Sequence, residues 1–286
     1  MKSQRKSGAL YVALSGVFFG LIGYFGMNII HAQVSINTML FWRFLVASLF
    51  MCFILLVQMK SWVATPKDLL KALFYGAIFY GPSSALYFVS ASEMGSGLAM
   101  VLFYTFPAMV MFLNFVVYKQ PIGYMYYWAT GLLLMGMLLL VNGSPGQLNW
   151  MGAWMGLLSA LFFALYIIVS KHSSAPAQVD TLMVCLGSML SGFVAAKYSH
   201  SFTMPVDVNF WVNVVGIGII CTSIPILLLL KGLKHIGAIE ASILSVLEPV
   251  FVIIFGVTLL GETIHLTQFI GVIILLLGAL LAILPT

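Results

Sequence analysis

The chain has little charge. Asp, Glu, Lys and Arg together make up 7% of its 286 residues, where a soluble domain carries about 25%. A water-soluble fold of this composition, 62% hydrophobic, would leave too much apolar surface in water. Cysteine is also scarce. Cys52, Cys185 and Cys221 are odd in number and lie in apolar stretches, which argues against a disulfide framework and for small-residue packing. No Gly-rich loop ending in Lys-Ser or Lys-Thr is present, so nucleotide-driven transport has no site. The five histidines, His31, His172, His200, His235 and His265, fall at expected helix ends. Their spacing to the cysteines forms no metal-ligand set. No metal, no cofactor and no enzyme activity are therefore expected. The longest loops run to about ten residues, which leaves no room for a soluble domain.

What the chain has is apolar length. Ten stretches are read as membrane spans, near 9–31, 36–58, 69–91, 95–118, 122–141, 150–170, 179–199, 208–233, 237–260 and 265–284. A helix rises about 1.5 Å per residue, so roughly 20 apolar residues cross a bilayer core of about 30 Å. The first stretch, with basic residues before an apolar run, has the outline of a signal peptide. Its run exceeds the usual apolar core of 7–15 residues, so a retained first helix is expected.

The net charge of +5 is a topology signal. With a cytoplasmic N-terminus, Lys2, Arg5, Lys6, Lys60, Lys67, Lys71, Lys119, Lys171, Lys231 and Lys234 all fall inside, and only Lys197 outside. Arg43 lies within a span. This is the positive-inside bias, and ten spans with both ends in the cytoplasm fit it. It predicts attraction to anionic membrane lipid and no nucleic-acid partner.

The chain is written twice. At a constant offset of 142 residues, Gly95 meets Gly237, Ala99 meets Ala241, Pro107 meets Pro249, and Gly136 meets Gly278. An offset of 144 places Ser15, Phe18 and Phe19 on Ser159, Phe162 and Phe163. Pro and Gly matches carry weight because these residues set backbone geometry. Five spans per copy is an odd number, so the second copy enters the membrane from the opposite side. Such inverted repeats are common among secondary transporters. The polar stretch 142–149 is the expected joint.

The same residues carry a family resemblance. The segment 237–249, Gly-Ala-Ile-Glu-Ala-Ser-Ile-Leu-Ser-Val-Leu-Glu-Pro, then Gly261 and Glu262, then Gly271 and Gly278, resembles the second module of EamA-type drug/metabolite transporters. Phe41, Trp42 and Arg43 resemble that family's second helix, and 99–107 its fourth. In the first half Lys119 and Gln120 stand where the family has Gly-Glu. The resemblance implies modules at 8–142 and 150–284, joined by 143–149. It implies an all-α polytopic membrane protein, with ten transmembrane helices as two inverted five-helix repeats around a central cavity. It also implies movement of small metabolites, often amino acids or amphipathic compounds, and often export, across a bacterial inner (plasma) membrane.

Intramembrane charge points to function, because an unpaired charge in hydrocarbon costs several kcal/mol. Glu248 stands near the middle of the ninth span beside Pro249. It is a candidate for proton coupling or for binding a cationic substrate; the alternative is a structural carboxyl between helices. Glu240, one turn inside the same span, is a second proton-coupling candidate; alternatively it caps that end or pairs with Lys234 or a neighbouring helix. Arg43 is read as a structural charge that snorkels or caps carbonyls, with contact to an anionic substrate group as the alternative. Pro82, Pro107, Pro225 and Pro249 near span centres are candidate hinges or plain curvature. Tyr80, Ser84 and Tyr87 follow helical spacing and share a face. With Phe103, Tyr104, Phe19, Phe163, Tyr166, Thr222, Ser245 and Glu248 they form the candidate substrate lining. Such a lining suits a flat, partly apolar solute and offers cation–π contact to an ammonium. Gly16 and Gly20, and Gly152 and Gly156, permit close helix packing.

The sequence therefore predicts a secondary transporter working by alternating access between its halves. Its expected partners are a small-molecule substrate, membrane lipid and protons, and it acts as a monomer or homodimer. A passive facilitator or substrate exchanger is the main rival. A lipid-modifying membrane enzyme lacks a visible acid–base or metal cluster, and a receptor would need a longer soluble segment.

Overall fold

The computed structural model describes residues 2–22, 24–25, 34–58, 64–119, 121–141, 149–205, 207–261 and 264–283. His31, Lys60, Gln120, Glu262 and the joint at 142–148 lie outside the described residues. Among the described residues the fold is helical throughout, without strands.

Helix α1 spans Lys2–Gly20 and α2 spans Ile36–Gln58. Next come α3 (Pro66–Tyr75), a π-helical turn at Gly76–Tyr80, and α4 (Gly81–Met94). They are followed by α5 (Ser96–Phe103), α6 (Phe106–Tyr118) and α7 (Tyr124–Val141). The second half repeats the series. It runs α8 (Trp150–Lys171), α9 (Ala177–Tyr198), α10 (Val208–Gly218), a second π turn at Ile219–Ser223, and α11 (Ile224–Leu233). Helices α12 (Ala238–Ser245), α13 (Glu248–Leu260) and α14 (Leu266–Ile283) complete it.

Among the described residues, seven segments are long and apolar enough to cross a membrane: Ile36–Gln58, Pro66–Met94, Ser96–Tyr118, Trp150–Lys171, Ala177–Tyr198, Val208–Leu233 and Ala238–Leu259. Tyr124–Leu140 and Leu266–Ala282 are shorter apolar helices. Helix α1 carries Lys2, Arg5 and Lys6 in its first turns, and the outer part of the stretch read there, 26–31, lies outside the described residues.

Four of the expected continuous spans are interrupted, at matching places. Proline cannot donate the backbone bond to the residue four before it, and its ring crowds that carbonyl. The two π turns end just before Pro82 and Pro225, and the breaks at 104–105 and 246–247 come just before Pro107 and Pro249. Each loosened turn lets the chain pass its proline without losing the helix beyond. Pro225 frees the carbonyl of Cys221. The Arg43 guanidinium on α2 donates to it through Nη2 at 3.4 Å, and through Nε to Thr222 Oγ1 at 2.6 Å.

Packing partners exchange when the halves are swapped. Helix α1 packs on α11 as α8 packs on α4, α1 also meets α12 and α13 as α8 meets α5 and α6, and α2 pairs with α9 and α7 with α14. Hydroxyls clamp the first of these contacts. Ser15 Oγ donates to Pro225 O at 2.9 Å; Ser159 Oγ donates to Ser83 O at 2.7 Å, and Ser83 Oγ returns a bond to Ser159 O at 2.9 Å. Where backbones touch, only glycine fits. A Cβ on Gly76 would strike the Val184 carbonyl of α9, and one on Gly16 would stand 3.1 Å from the backbone nitrogen of Glu248.

Candidate functional site

The interruptions bring side chains from both halves together. Tyr80 closes the first π turn, and Thr222 lies in the second. Tyr104 occupies the break before α6. Glu248 is the first residue of α13, at the N-terminal end of a half-helix, where the helix dipole favours a negative group.

Aromatic rings form one continuous wall. Tyr80 stands 4.9 Å from Tyr166 and 6.1 Å from Phe163, centroid to centroid. Phe163 meets Phe106 at 4.8 Å and Phe103 at 5.2 Å. Phe103 meets Tyr104 at 5.3 Å and Tyr87 at 5.4 Å. Edge-on and tilted contacts in this range are the favoured geometries of aromatic pairs. At one end of the wall lies Glu248, within electrostatic reach of Tyr104, Tyr87, Tyr80, Cys221 and Arg43. Glu248 as a residue is half-buried, with its carboxylate deep in the bundle.

Two hydroxyls stand out. Tyr104 Oη and Tyr166 Oη are buried and make no hydrogen bond of good geometry among the described residues. Tyr104 stands beside the Glu248 carboxylate and Tyr166 beside Ser170, each close enough to interact.

The remaining expected residues are placed as follows. Ser84 is half-buried on α4, and Phe19 is buried on α1 without a ring contact to the wall. Ser245 Oγ turns back on its own helix, donating to Ala241 O at 2.9 Å. Thr222 Oγ1 is engaged by Arg43 and donates to Ile217 O at 2.8 Å. Arg43 is 3% exposed, with its guanidinium 5.4 Å from the Phe44 ring, so it does not extend to an interface. Pro107, Pro225 and Pro249 are buried and Pro82 partly so, each in the first turn of its half-helix. Glu240 lies apart from the wall's ring contacts. It is ion-paired with Arg5 of α1 at 3.1 Å, while Lys234 donates to Ala175 O.

Phe106, which follows Phe103 and Tyr104 in the aromatic-rich fourth span, is by the offset of 142 the counterpart of Glu248. Phe44 was not among the expected lining residues and had no signal beyond its neighbour Arg43. Among the described residues, no group of three His, Cys, Asp or Glu side chains could hold a metal ion.

Comparison with known proteins agrees on the class. The model of the EamA-like transporter family matches residues 6–142 and 150–284. An uncharacterized transporter of Archaeoglobus fulgidus is 28% identical over 279 residues, covering 96% of each chain. The Bacillus subtilis uncharacterized transporters YcbK and YwfM are 25% and 26% identical, covering 71% and 73% of this chain and 69% and 71% of their own. One crystal structure superposes with a TM-score of 0.82 over 97% of this chain and 96% of that one. At 15% identity it speaks for the fold alone.

Proposed function

The chain belongs to the EamA-like transporter family, and from that premise we propose that it is a secondary transporter of small organic metabolites. It is an integral membrane protein and a transporter by class. The finer reading is ten membrane-spanning segments in two inverted five-helix repeats, alternating access between the halves, and a site at the aromatic wall. Substrates are amino acids or related amphipathic compounds, and the direction is export from a bacterial cell. In this reading the protein sits in the inner membrane with both termini cytoplasmic, which the distribution of its basic residues supports.

One observation carries this reading. Glu248 begins a half-helix deep in the bundle and lies beside the Tyr104 hydroxyl, at one end of the aromatic wall. Broken helices whose ends point into the site between repeats are the usual way transporters bind solutes and coupling ions near the membrane midplane. In this reading Glu248 exchanges a proton for substrate, and the π turns and breaks supply the bending. Glu240 keeps its ion pair with Arg5 and holds α1 to α12.

The test is flux in proteoliposomes loaded with a mixed metabolite pool, with and without an imposed pH gradient, read by mass spectrometry. A saturable solute that moves faster with the gradient is expected. A solute moving equally fast without it would make the protein a facilitator or exchanger. No solute moving would overturn the transport reading.

A further inference from the structure

Two matched seams of the bundle carry opposite chemistry. At the end that bears the N-terminus α1 packs on α11, and at the other end α8 packs on α4. Glycine permits both approaches. A Cβ on Gly8 would stand 2.7 Å from His235 Cβ, and one on the matched Gly152 would stand 3.0 Å from Glu93 Cβ. His235 and Glu93 are themselves matched by the offset of 142, as are Lys231 and Val89. Ser7 and Tyr11 match Met151 and Met155 at the offset of 144. The two members of each pair are exposed to the same degree, so what differs between the seams is the chemistry of the side chains.

The outer seam satisfies its own charge. Glu93 accepts a bond from Asn149 Nδ2 at 2.8 Å, and Val89, Met151 and Met155 are apolar. The inner seam does not. Lys231 Nζ lies 5.9 Å from the centre of the Tyr11 ring, within the range of a cation–π contact. Among the described residues no hydrogen bond or ion pair engages the side chains of Ser7, Tyr11, Lys231 or His235. The charges nearby are already committed: Glu240 is held by Arg5, and Lys234 donates to the Ala175 carbonyl.

These groups border one seam. Lys231 stands near the end of α11 and His235 in the turn beyond it, against Tyr11 and Gly8 of α1. Ser7 lies one turn before Tyr11 and is exposed. From Ser7, Leu10 and Leu14 follow at helical spacing. Both are exposed, and they lead away from the charged end into the apolar length of α1. A cation with hydroxyl and ring N–H donors around it, above an open apolar track, matches a phospholipid: phosphate at the head, acyl chain below. Lysine binds phosphate as a point charge, and basic pockets between helices on the cytoplasmic side take anionic headgroups. A zwitterionic headgroup would bring a cation of its own to Lys231.

We propose that the seam of α1 and α11 binds an anionic phospholipid of the cytoplasmic leaflet, its phosphate held by Lys231, His235 and Ser7 and one acyl chain laid along Leu10 and Leu14. From the transport reading this takes only the cytoplasmic N-terminus, and it assigns no part to Glu248 or the aromatic wall. The outer seam, with Val89 in place of Lys231 and the Glu93 carboxylate in place of His235, rejects such a lipid.

The experiment titrates the purified full chain in detergent with dioctanoylphosphatidylglycerol, with dioctanoylphosphatidylcholine and with inorganic phosphate. Binding is read as the ligand-dependent rise in thermal unfolding temperature. Phosphatidylglycerol is expected to bind at least about fivefold more tightly than phosphatidylcholine, the effect of one basic group at a charged headgroup. Lys231→Gln with His235→Gln is expected to bring the two lipids to within about twofold. Lys231→Arg keeps the charge and is expected to keep the preference. Lys67→Gln with Lys71→Gln removes two exposed cations from α3 and is expected to leave the preference intact, which separates a site from diffuse attraction. Should the Lys231 and His235 double variant not fold, Lys231→Gln alone is read in its place. Equal binding of the two lipids by the unaltered protein would overturn the proposal. So would an unchanged preference when Lys231 is neutralised, or an equal loss in the α3 variant. A rise with inorganic phosphate as large as that with phosphatidylglycerol would assign the seam to free phosphate and overturn the lipid. Flux plays no part in these outcomes, so failure of the transport reading leaves them unchanged.

Discussion

Segments Ser96–Tyr118 and Ala238–Leu260 are built to one plan and carry different chemistry. Each is an eight-residue helix, a two-residue break, and a thirteen-residue helix with proline in its first turn. Each ends on a left-handed residue, Lys119 at φ 51° and Gly261 at φ 70°. At matched positions the first segment has Phe106 and Leu98 where the second has Glu248 and Glu240. Two carboxylates at matched positions in one low-dielectric interior would repel, and the chain carries that charge in one copy only. In the proposed mechanism the duplicated backbone supplies the moving parts, and the diverged side chains supply the binding chemistry.

Glu248→Gln should have the largest effect. It removes the titratable group and keeps the shape, so stimulation of flux by a proton gradient should vanish. Phe106→Leu, at the matched position, should leave the gradient dependence in place. Both are read in the same vesicle assay, and equal loss in the two variants would erase the functional distinction between the segments.

The π turns offer a structural contrast. A Cβ on Gly76 meets the Val184 backbone, which cannot yield, whereas one on Gly218 first meets the Val46 side chain at 2.8 Å. Gly76→Ala should cost ~1–3 kcal/mol, the range for overpacking, and Gly218→Ala less. Thermal unfolding of the two variants in detergent compares them. A smaller effect sharpens the hydroxyl clamps. Ser159→Ala removes a member of a reciprocal pair, and Ser15→Ala a single donor. Each should cost about 1 kcal/mol, with Ser159→Ala the more costly. Least of all, Lys119→Gly should stabilise by about 1 kcal/mol because glycine accepts the left-handed conformation freely, while Gly261→Ala should destabilise by a similar amount. A gain at both positions would contradict the matched caps.

Much of the fold was legible in the residues. The apolar stretches at 36–58, 150–170 and 208–233 coincide within a residue with helical segments, because length and hydropathy alone decide where a helix can sit in a bilayer. The prolines announced trouble in four spans, and the offset of 142 paired two of them. Two things were not legible: that the third and eighth spans absorb the strain as π turns, while the fourth and ninth break outright. That choice depends on what receives the freed backbone groups. Arg43 and Thr222 do so for the second π turn, and they lie 179 residues apart.

The site divides in the same way. Glu248, Tyr80, Tyr87, Tyr104 and Tyr166 could be picked out as candidates because charge and hydroxyls are rare in apolar spans, and Phe163 because the offset of 144 pairs it with Phe19. Ser245 and Glu240 could be named too, but their partners could not: one hydroxyl bonds its own helix, and one carboxylate finds Arg5. By itself the sequence determined that the chain lives in a membrane, that it is two copies of one unit, and where its helices must bend. Those properties follow from composition, period and backbone chemistry, which are local. The tertiary structure alone decided that Arg43 is buried within electrostatic reach of Glu248, and that Tyr104 and Tyr166 join one wall of rings drawn from both halves. Those are relations among residues far apart in the chain, set by which helices pack together.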